Sequence, residues 1–174
     1  MRTENECCAC VQAVAETTAE LGLSLMLAAS RNIVSGNRRA RQRVMDPGWF
    51  GRTMAGSVLG VVGMGDIGGR VAAKAAAAFG MKVQYSSRKR KPAIEAKILG
   101  GATFVPDLTD LCKAADIIVV CVALTAETTH MFKAEHFAAM KSSTCAYNRR
   151  DCWCSYSLTS TLFDAGSNVR LHLR

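Results

Sequence analysis

Val58-Leu59-Gly60-Val61-Val62-Gly63-Met64-Gly65-Asp66-Ile67-Gly68-Gly69-Arg70 is the stretch that decides how this 174-residue chain is read. Val58 to Val62 is a short apolar run rich in valine, suited to a strand buried on both faces of a parallel sheet. The glycines follow it directly. Arg70 to Phe79, mostly alanine, then predicts a helix that stops at Gly80. A G-x-G-x-x-G pattern alone is weak, because glycines recur in any loop. Here it lies between a strand and a helix, inside a βαβ unit of about thirty residues, where the pattern has a physical role. Gly63 permits the tight turn, Gly65 lets backbone approach a diphosphate, and Gly68 lets helix and strand pack closely. The backbone N–H groups around Asp66 and Ile67, at the helix start, then face the anion.

Outward from this unit the alternation continues. Lys82 to Ser86 predicts a second strand, Ile94 to Leu99 a helix, Ala102 to Val105 a third strand, Asp107 to Ala114 a helix, and Asp116 to Val122 a fourth strand. Strands and helices that alternate with short glycine-containing joints specify an α/β, Rossmann-type doubly wound parallel sheet in three αβα layers, here incomplete. Upstream, Glu16 to Arg31 predicts a helix capped by Thr17 or Thr18, apolar nearly all round and therefore buried on several sides. A basic helix is expected from Ser35 to Val44, closed by the Asp46-Pro47-Gly48 loop.

Composition agrees. Residues of the AVILMFWYC set make up 49% and charged residues 21%, which excludes a disordered or fibrous chain. No apolar run approaches the ~20 residues of a membrane span, and Met1 to Glu6 holds two acids and no cationic leader. The expectation is a cytosolic protein with reduced thiols and no membrane partner. Twenty-two Lys and Arg against fourteen Asp and Glu leave a charge of +8, which suits anionic ligands.

The end of the second strand normally reports which dinucleotide is held. An acid there accepts hydrogen bonds from a ribose 2′-hydroxyl, whereas a basic residue accommodates a 2′-phosphate. Ser86-Ser87-Arg88-Lys89-Arg90 contains no acid. NADP is therefore expected over NAD, with Ser87 and Arg88 as contacts; a solvated basic loop is the alternative.

At this point the chain resembles the D-isomer-specific 2-hydroxyacid dehydrogenases. The matching stretches are Thr18-Ala19-Glu20-Leu21, Gly60 to Gly68, Phe79-Gly80-Met81-Lys82-Val83, Asp116 to Val120, Leu124-Thr125-Ala126-Glu127-Thr128 and Met140-Lys141. The basic loop at 87–91 is most similar to the glyoxylate/hydroxypyruvate reductase branch, which favours NADPH. The resemblance implies that Thr18, the Gly65–Ile67 turn, Ser87, Arg88 and Val122 lie against the cofactor. It also implies hydride transfer to a small 2-oxo acid, and a homodimer formed through this domain.

The same resemblance shows departures. Family members carry about a hundred residues before the Thr-Ala-Glu helix, and an arginine, an acid and an acid/base histidine after the Met-Lys segment. Asn148 stands where the family's asparagine belongs, yet Arg149 and Arg150 come too early, and Asp151-Cys152 replaces Arg-Gly. The expected division is a non-matching segment at 1–15, a partial nucleotide domain at 16–143 and an atypical tail at 144–174. No catalytic residue is assigned. A dinucleotide- or partner-binding protein without turnover, of the kind the family's corepressors exemplify, and an unproductive fragment remain as alternatives. His130 and His136 are expected to face solvent or cap helices, and His172 to fray near the chain end.

Two further patterns carry less. Cys8-x-Cys10 and Cys152-x-Cys154 sit at dissimilar ends with tighter spacing than zinc ligands use, so no metal is expected. Arg38-Arg39-Ala40-Arg41-Gln42-Arg43 lacks interleaved aromatics, so a solvated face is expected rather than a nucleic-acid site.

Overall fold

A computed structural model describes residues 4–44, 51–148 and 170–173, with side chains over 14–44 and 51–144. The strands are β1 (Val58–Val62), β2 (Lys82–Ser86), β3 (Ala102–Phe104), β4 (Ile117–Val120), β5 (Cys145–Asn148) and β6 (Arg170–Leu173). The helices are α1 (Glu4–Ser30), α2 (Ile33–Arg41), α3 (Asp66–Phe79), α4 (Pro92–Glu95), α5 (Leu108–Ala114) and α6 (Ala134–Ala139). All strand pairs are parallel, in the order β3-β2-β1-β4-β5-β6. This is the doubly wound arrangement, whose strand order reverses between β1 and β4. The segment read as a tail thus contributes β5 and β6.

Two cores lie on opposite faces of the sheet. One joins Leu59, Val61, Val83, Tyr85 and Val119 to Val71, Ala72 and Ala75 of α3 and Met26 of α1. The other joins Val62, Ile118 and Val120 to Leu111 and Cys112 of α5 and Phe137 of α6. Every residue of β4 is buried, as expected of a central parallel strand. Alanines on the inner face of α3 keep it close to the sheet. Gly80 ends α3 in the left-handed region at φ 60°, and its N–H donates to the Ala76 carbonyl at 2.9 Å.

The first helix differs from its reading. It begins at Glu4, so Thr17 and Thr18 lie inside it and cap nothing. Their hydroxyls instead donate to the Val14 carbonyl, at 3.2 and 2.6 Å. Threonine in a helix interior uses this local acceptor, and nothing between residues 4 and 17 breaks the helix, since that stretch has neither Gly nor Pro. Burial is also narrower than predicted. Ala15, Ala19, Met26 and Ala29 are buried on one face, while Leu21 is 53% exposed. The helix expected over 94–99 is a single turn, Pro92–Glu95, followed by turns up to the left-handed Gly100 and Gly101. The fourth strand ends at Val120, two residues short of its expected end. The basic helix runs from Ile33 to Arg41, earlier than expected, with Gly36 its only buried residue. The 46–48 loop, and the side chains of Cys8, Cys10, Cys152, Cys154 and His172, lie outside the described residues.

Candidate functional site

At the carboxyl end of β1 the chain must turn sharply into α3. Gly63 does so at φ 95°, and a Cβ there would stand 2.9 Å from the Cys121 and Val122 backbone. Its N–H donates to the Ser86 carbonyl at 2.8 Å, while the Cys121 N–H donates to the Val62 carbonyl at 2.7 Å. These contacts bring three strand ends together: the glycine turn after β1, Ser87 and Arg88 after β2, and Val122 after β4. They meet at the switch in strand order, the position where open α/β sheets bind ligands.

The glycines then divide the work. A Cβ on Gly68 would lie 2.2 Å from the Gly63 carbonyl oxygen, so close packing of helix on turn requires glycine. Gly65 is the opposite case. Its backbone is extended (φ −94°, ψ −159°), and a Cβ there would meet nothing within 4 Å. The fold does not need glycine at that position, but a ligand lying on the backbone would. The first helical bond runs from the Gly69 N–H to the Gly65 carbonyl at 2.9 Å. The N–H groups of Asp66, Ile67 and Gly68 therefore precede the helical ladder and present the positive end of the α3 dipole. A carboxylate beside an incoming diphosphate would repel it. Asp66 is drawn instead to Arg70, whose Nε donates to Oδ1 at 3.0 Å.

Arg70 also reaches α1, where Glu16 accepts hydrogen bonds from Arg70 and from Lys74 Nζ, the latter at 2.6 Å. The Lys74 ammonium first, and then the Arg70 guanidinium, hold the Glu16 carboxyl below its ordinary range. Thr18, half-buried, stands half a turn further along α1.

After β2, the basic loop is sorted by a partner that sequence reasoning missed. Glu95 accepts Arg90 Nε and Nη2 at 3.0 and 2.9 Å, and the buried Tyr85 hydroxyl at 2.6 Å. Tyr85 in turn accepts the Lys91 N–H at 2.7 Å. Burial, and then the neighbouring Glu95 carboxylate, push the Tyr85 hydroxyl up, so it stays a donor. Arg90 is thereby a frame for the loop. Arg88 is exposed and has no carboxylate partner among the described residues. The Ser87 hydroxyl donates to the Lys89 carbonyl at 2.6 Å, which leaves its oxygen only as an acceptor in this geometry. The signal was available in sequence as a tyrosine and a glutamate flanking the basic run, but spacing alone does not pair them.

The histidines sit elsewhere. His136 is buried and its Nδ1 accepts the Lys133 N–H at 2.9 Å, a cap on α6 as one of its two expected roles. His130 is exposed, in the left-handed region at φ 56°. Burial pushes the Cys112 thiol up to about 12, so it is inert rather than nucleophilic. Asn148 ends β5, and Arg149, Arg150 and Asp151 lie outside the described residues. Among the described residues no group of three metal-ligating side chains forms, and no helix is long and apolar enough to cross a membrane.

Residues 23–148 match the model of the D-isomer specific 2-hydroxyacid dehydrogenase NAD-binding domain. The chain belongs to this family. Among its relatives, glyoxylate/hydroxypyruvate reductase B of Escherichia fergusonii is 38% identical over 132 residues, which is 74% of this chain and 40% of that protein. The protein of the same name from Salmonella newport is 39% identical over the same length. Among solved structures, D-lactate dehydrogenase from Aquifex aeolicus, complexed with NAD and lactic acid, superposes with a TM-score of 0.80 at 27% identity, covering 90% of this chain and 46% of that one. D-mandelate dehydrogenase from Rhodotorula graminis gives 0.79 at 30% identity, covering 90% and 47%. The chain spans less than half the length of each of these four relatives. The family's NAD-binding fold is thus the part of them that residues 23–148 carry.

Proposed function

We propose that this chain is the NADPH-binding part of a glyoxylate/hydroxypyruvate-type 2-oxo acid reductase, with residues 16–143 as the nucleotide-binding unit. The observation that carries the NADPH preference is the division of labour in the 87–91 loop. Glu95 engages Arg90 and leaves Arg88 exposed and without a carboxylate, beside the strand end that Gly63 shares with Ser86. A guanidinium there meets a 2′-phosphate with paired donors. The N–H groups of Asp66 and Ile67 receive the diphosphate over the open face of Gly65, Val122 borders the nicotinamide side, and Thr18 approaches from α1. When bound, the dinucleotide supplies hydride. This chain's own residues hold and orient it, and the cation and general acid that a 2-oxo acid also requires are not assigned to any described residue. In this reading the protein works in the cytosol, with reduced thiols. Two copies pair through exposed apolar side chains of the first two helices, among them Leu21, Ile33 and Val34.

Fluorescence titration with NADPH and NADH at fixed low salt tests the reading. NADPH is expected to bind much more tightly than NADH. Arg88→Gln should weaken NADPH by roughly ten- to a hundredfold, the scale of one charge-assisted contact, and leave NADH unchanged. Equal affinities in the unaltered protein would overturn the preference. A further assay on glyoxylate then separates a reductase from a protein that binds dinucleotide without turnover.

A further inference from the structure

A second concavity, of about 420 Å³, opens at the opposite edge of the sheet. Its wall includes Ser57, directly before β1, and Asp116, directly before β4. The five residues of β1 separate it from the glycine turn by roughly 16 Å. Its volume is within the range of small-molecule sites.

The charges around it do not cancel. Asp116 is the acid of the wall, and both its oxygens are engaged: Oδ2 accepts the Val58 N–H at 2.9 Å, and Oδ1 accepts Lys141 Nζ at 2.7 Å. Lys141 is its salt-bridge partner, and the Arg52 guanidinium, exposed on the wall and without a salt bridge among the described residues, adds a weaker, longer-range attraction. Two cations against one carboxylate leave a net positive charge. The free hydrogen-bonding capacity is also of one kind. Ser30 is 6% exposed, and its Oγ is buried with no hydrogen-bond partner among the described residues. Thr53 Oγ1 accepts the Ala55 N–H at 3.2 Å, which keeps its own hydrogen available. The carbonyls at the end of α1 are already occupied: Leu27 by Arg31, Ala29 by Asn32, and Ser30 by the Arg52 N–H at 2.7 Å. The helix end therefore presents no cluster of bare acceptors to attract a cation. A buried hydroxyl without a partner is costly, and a small turn of the Ser30 side chain toward the concavity it lines would let a ligand oxyanion satisfy it. Ala55 and Ile117 supply apolar wall.

We propose that this concavity binds a small organic monocarboxylate, with its carboxylate on Arg52 and the Ser30 and Thr53 hydroxyls and its apolar body against Ala55 and Ile117. The net single positive charge of Arg52 and Lys141 against Asp116 selects a single negative charge, and the apolar wall selects an organic acid over an inorganic ion. The site is independent of the dinucleotide reading.

Ligand-observed NMR on the full chain, with benzoate, benzamide and inorganic phosphate as probes, tests it. Benzoate is expected to bind saturably, and the isosteric neutral benzamide and phosphate to bind at least tenfold more weakly. Arg52→Gln should weaken benzoate by about tenfold and Arg52→Lys by less, both with NADPH titration unchanged as evidence of an intact fold. Benzoate binding should survive Gly65→Val, which removes only the glycine-turn site. No saturable benzoate binding, equal binding of benzamide or phosphate, indifference to Arg52→Gln, or loss with Gly65→Val would each overturn the proposal.

Discussion

Gly65 and Gly68 are three residues apart in one loop, and the structure gives them opposite reasons to be glycine. At Gly68 the missing Cβ is a matter of folding, because 2.2 Å from the Gly63 carbonyl no side chain fits without moving backbone. At Gly65 the backbone is extended and the space above it open, so only a ligand is excluded by a side chain. Gly68→Ala is therefore expected to destabilise the domain by roughly 2–4 kcal/mol, as overpacking against backbone does. Gly65→Val should shift stability by under about 1 kcal/mol, the small cost of replacing glycine at an N-cap, and abolish dinucleotide binding. Urea denaturation and dinucleotide titration on the two variants check both halves. If Gly65→Val binds as the unaltered protein does, the turn is not where the diphosphate lies.

At the scale of elements, legibility followed periodicity. The valine strand, the alanine helix and the buried β4 were readable because apolar runs of those lengths admit few placements. The glycine turn was readable because its role is fixed by position between them. The reading failed where local sequence is permissive. No residue from 4 to 17 forbids a helix, so its start was misplaced at the first threonine that resembled a cap. Pairings across the chain, such as Glu95 choosing Arg90 over Arg88, are set by tertiary approach and leave no spacing to read. The link between α1 and α3 is of the same kind. Glu16 accepts both Lys74 and Arg70, and these contacts keep its carboxyl below the usual range. A carboxyl lowered in the folded state stabilises above its unfolded range and loses that contribution as pH falls. Glu16→Gln should thus be slightly less stable than the unaltered protein at neutral pH. The gap should narrow with added salt and close below the ordinary carboxylate range. Denaturation midpoints across pH 3–7 measure it, and a gap that persists in acid would mean the helices meet through packing alone.

For the molecule as a whole, the question is what joins two cores that lie on opposite faces of one sheet. The strands shared by both are β1 and β4, and their amino ends are tied by a reciprocal pair. The Asp116 N–H donates to the Val58 carbonyl at 2.9 Å, and the Val58 N–H donates back to the Asp116 carboxylate at 2.9 Å. Lys141, from the turn before β5, closes the same carboxylate, and Thr144 donates to the Ala115 carbonyl at 3.1 Å beside it. Burial pushes the Asp116 carboxyl up, but Lys141, the Val58 N–H and the nearby Arg52 together outweigh it and leave the group lowered. One side chain therefore fastens β1, β4 and the approach to β5, at the edge away from the glycine turn. Asp116→Asn keeps the shape and one acceptor but loses the charge. It is expected to cost about 1 kcal/mol at neutral pH, discounted for the partial exposure of the pair. That corresponds to a melting point lower by roughly 2–4 °C for a domain of this size. The sign with pH follows from the lowered carboxyl: its contribution is complete above the unfolded aspartate range and is lost as pH falls through the folded value. Thermal melts of the two proteins should therefore differ at pH 7 and draw together as pH falls through the acid range. Because the tie is remote from the phosphate cradle, dinucleotide affinity at neutral pH should be unchanged in Asp116→Asn. A variant that kept its stability but lost dinucleotide would instead show that the switch-point strands transmit strain from one edge of the sheet to the other.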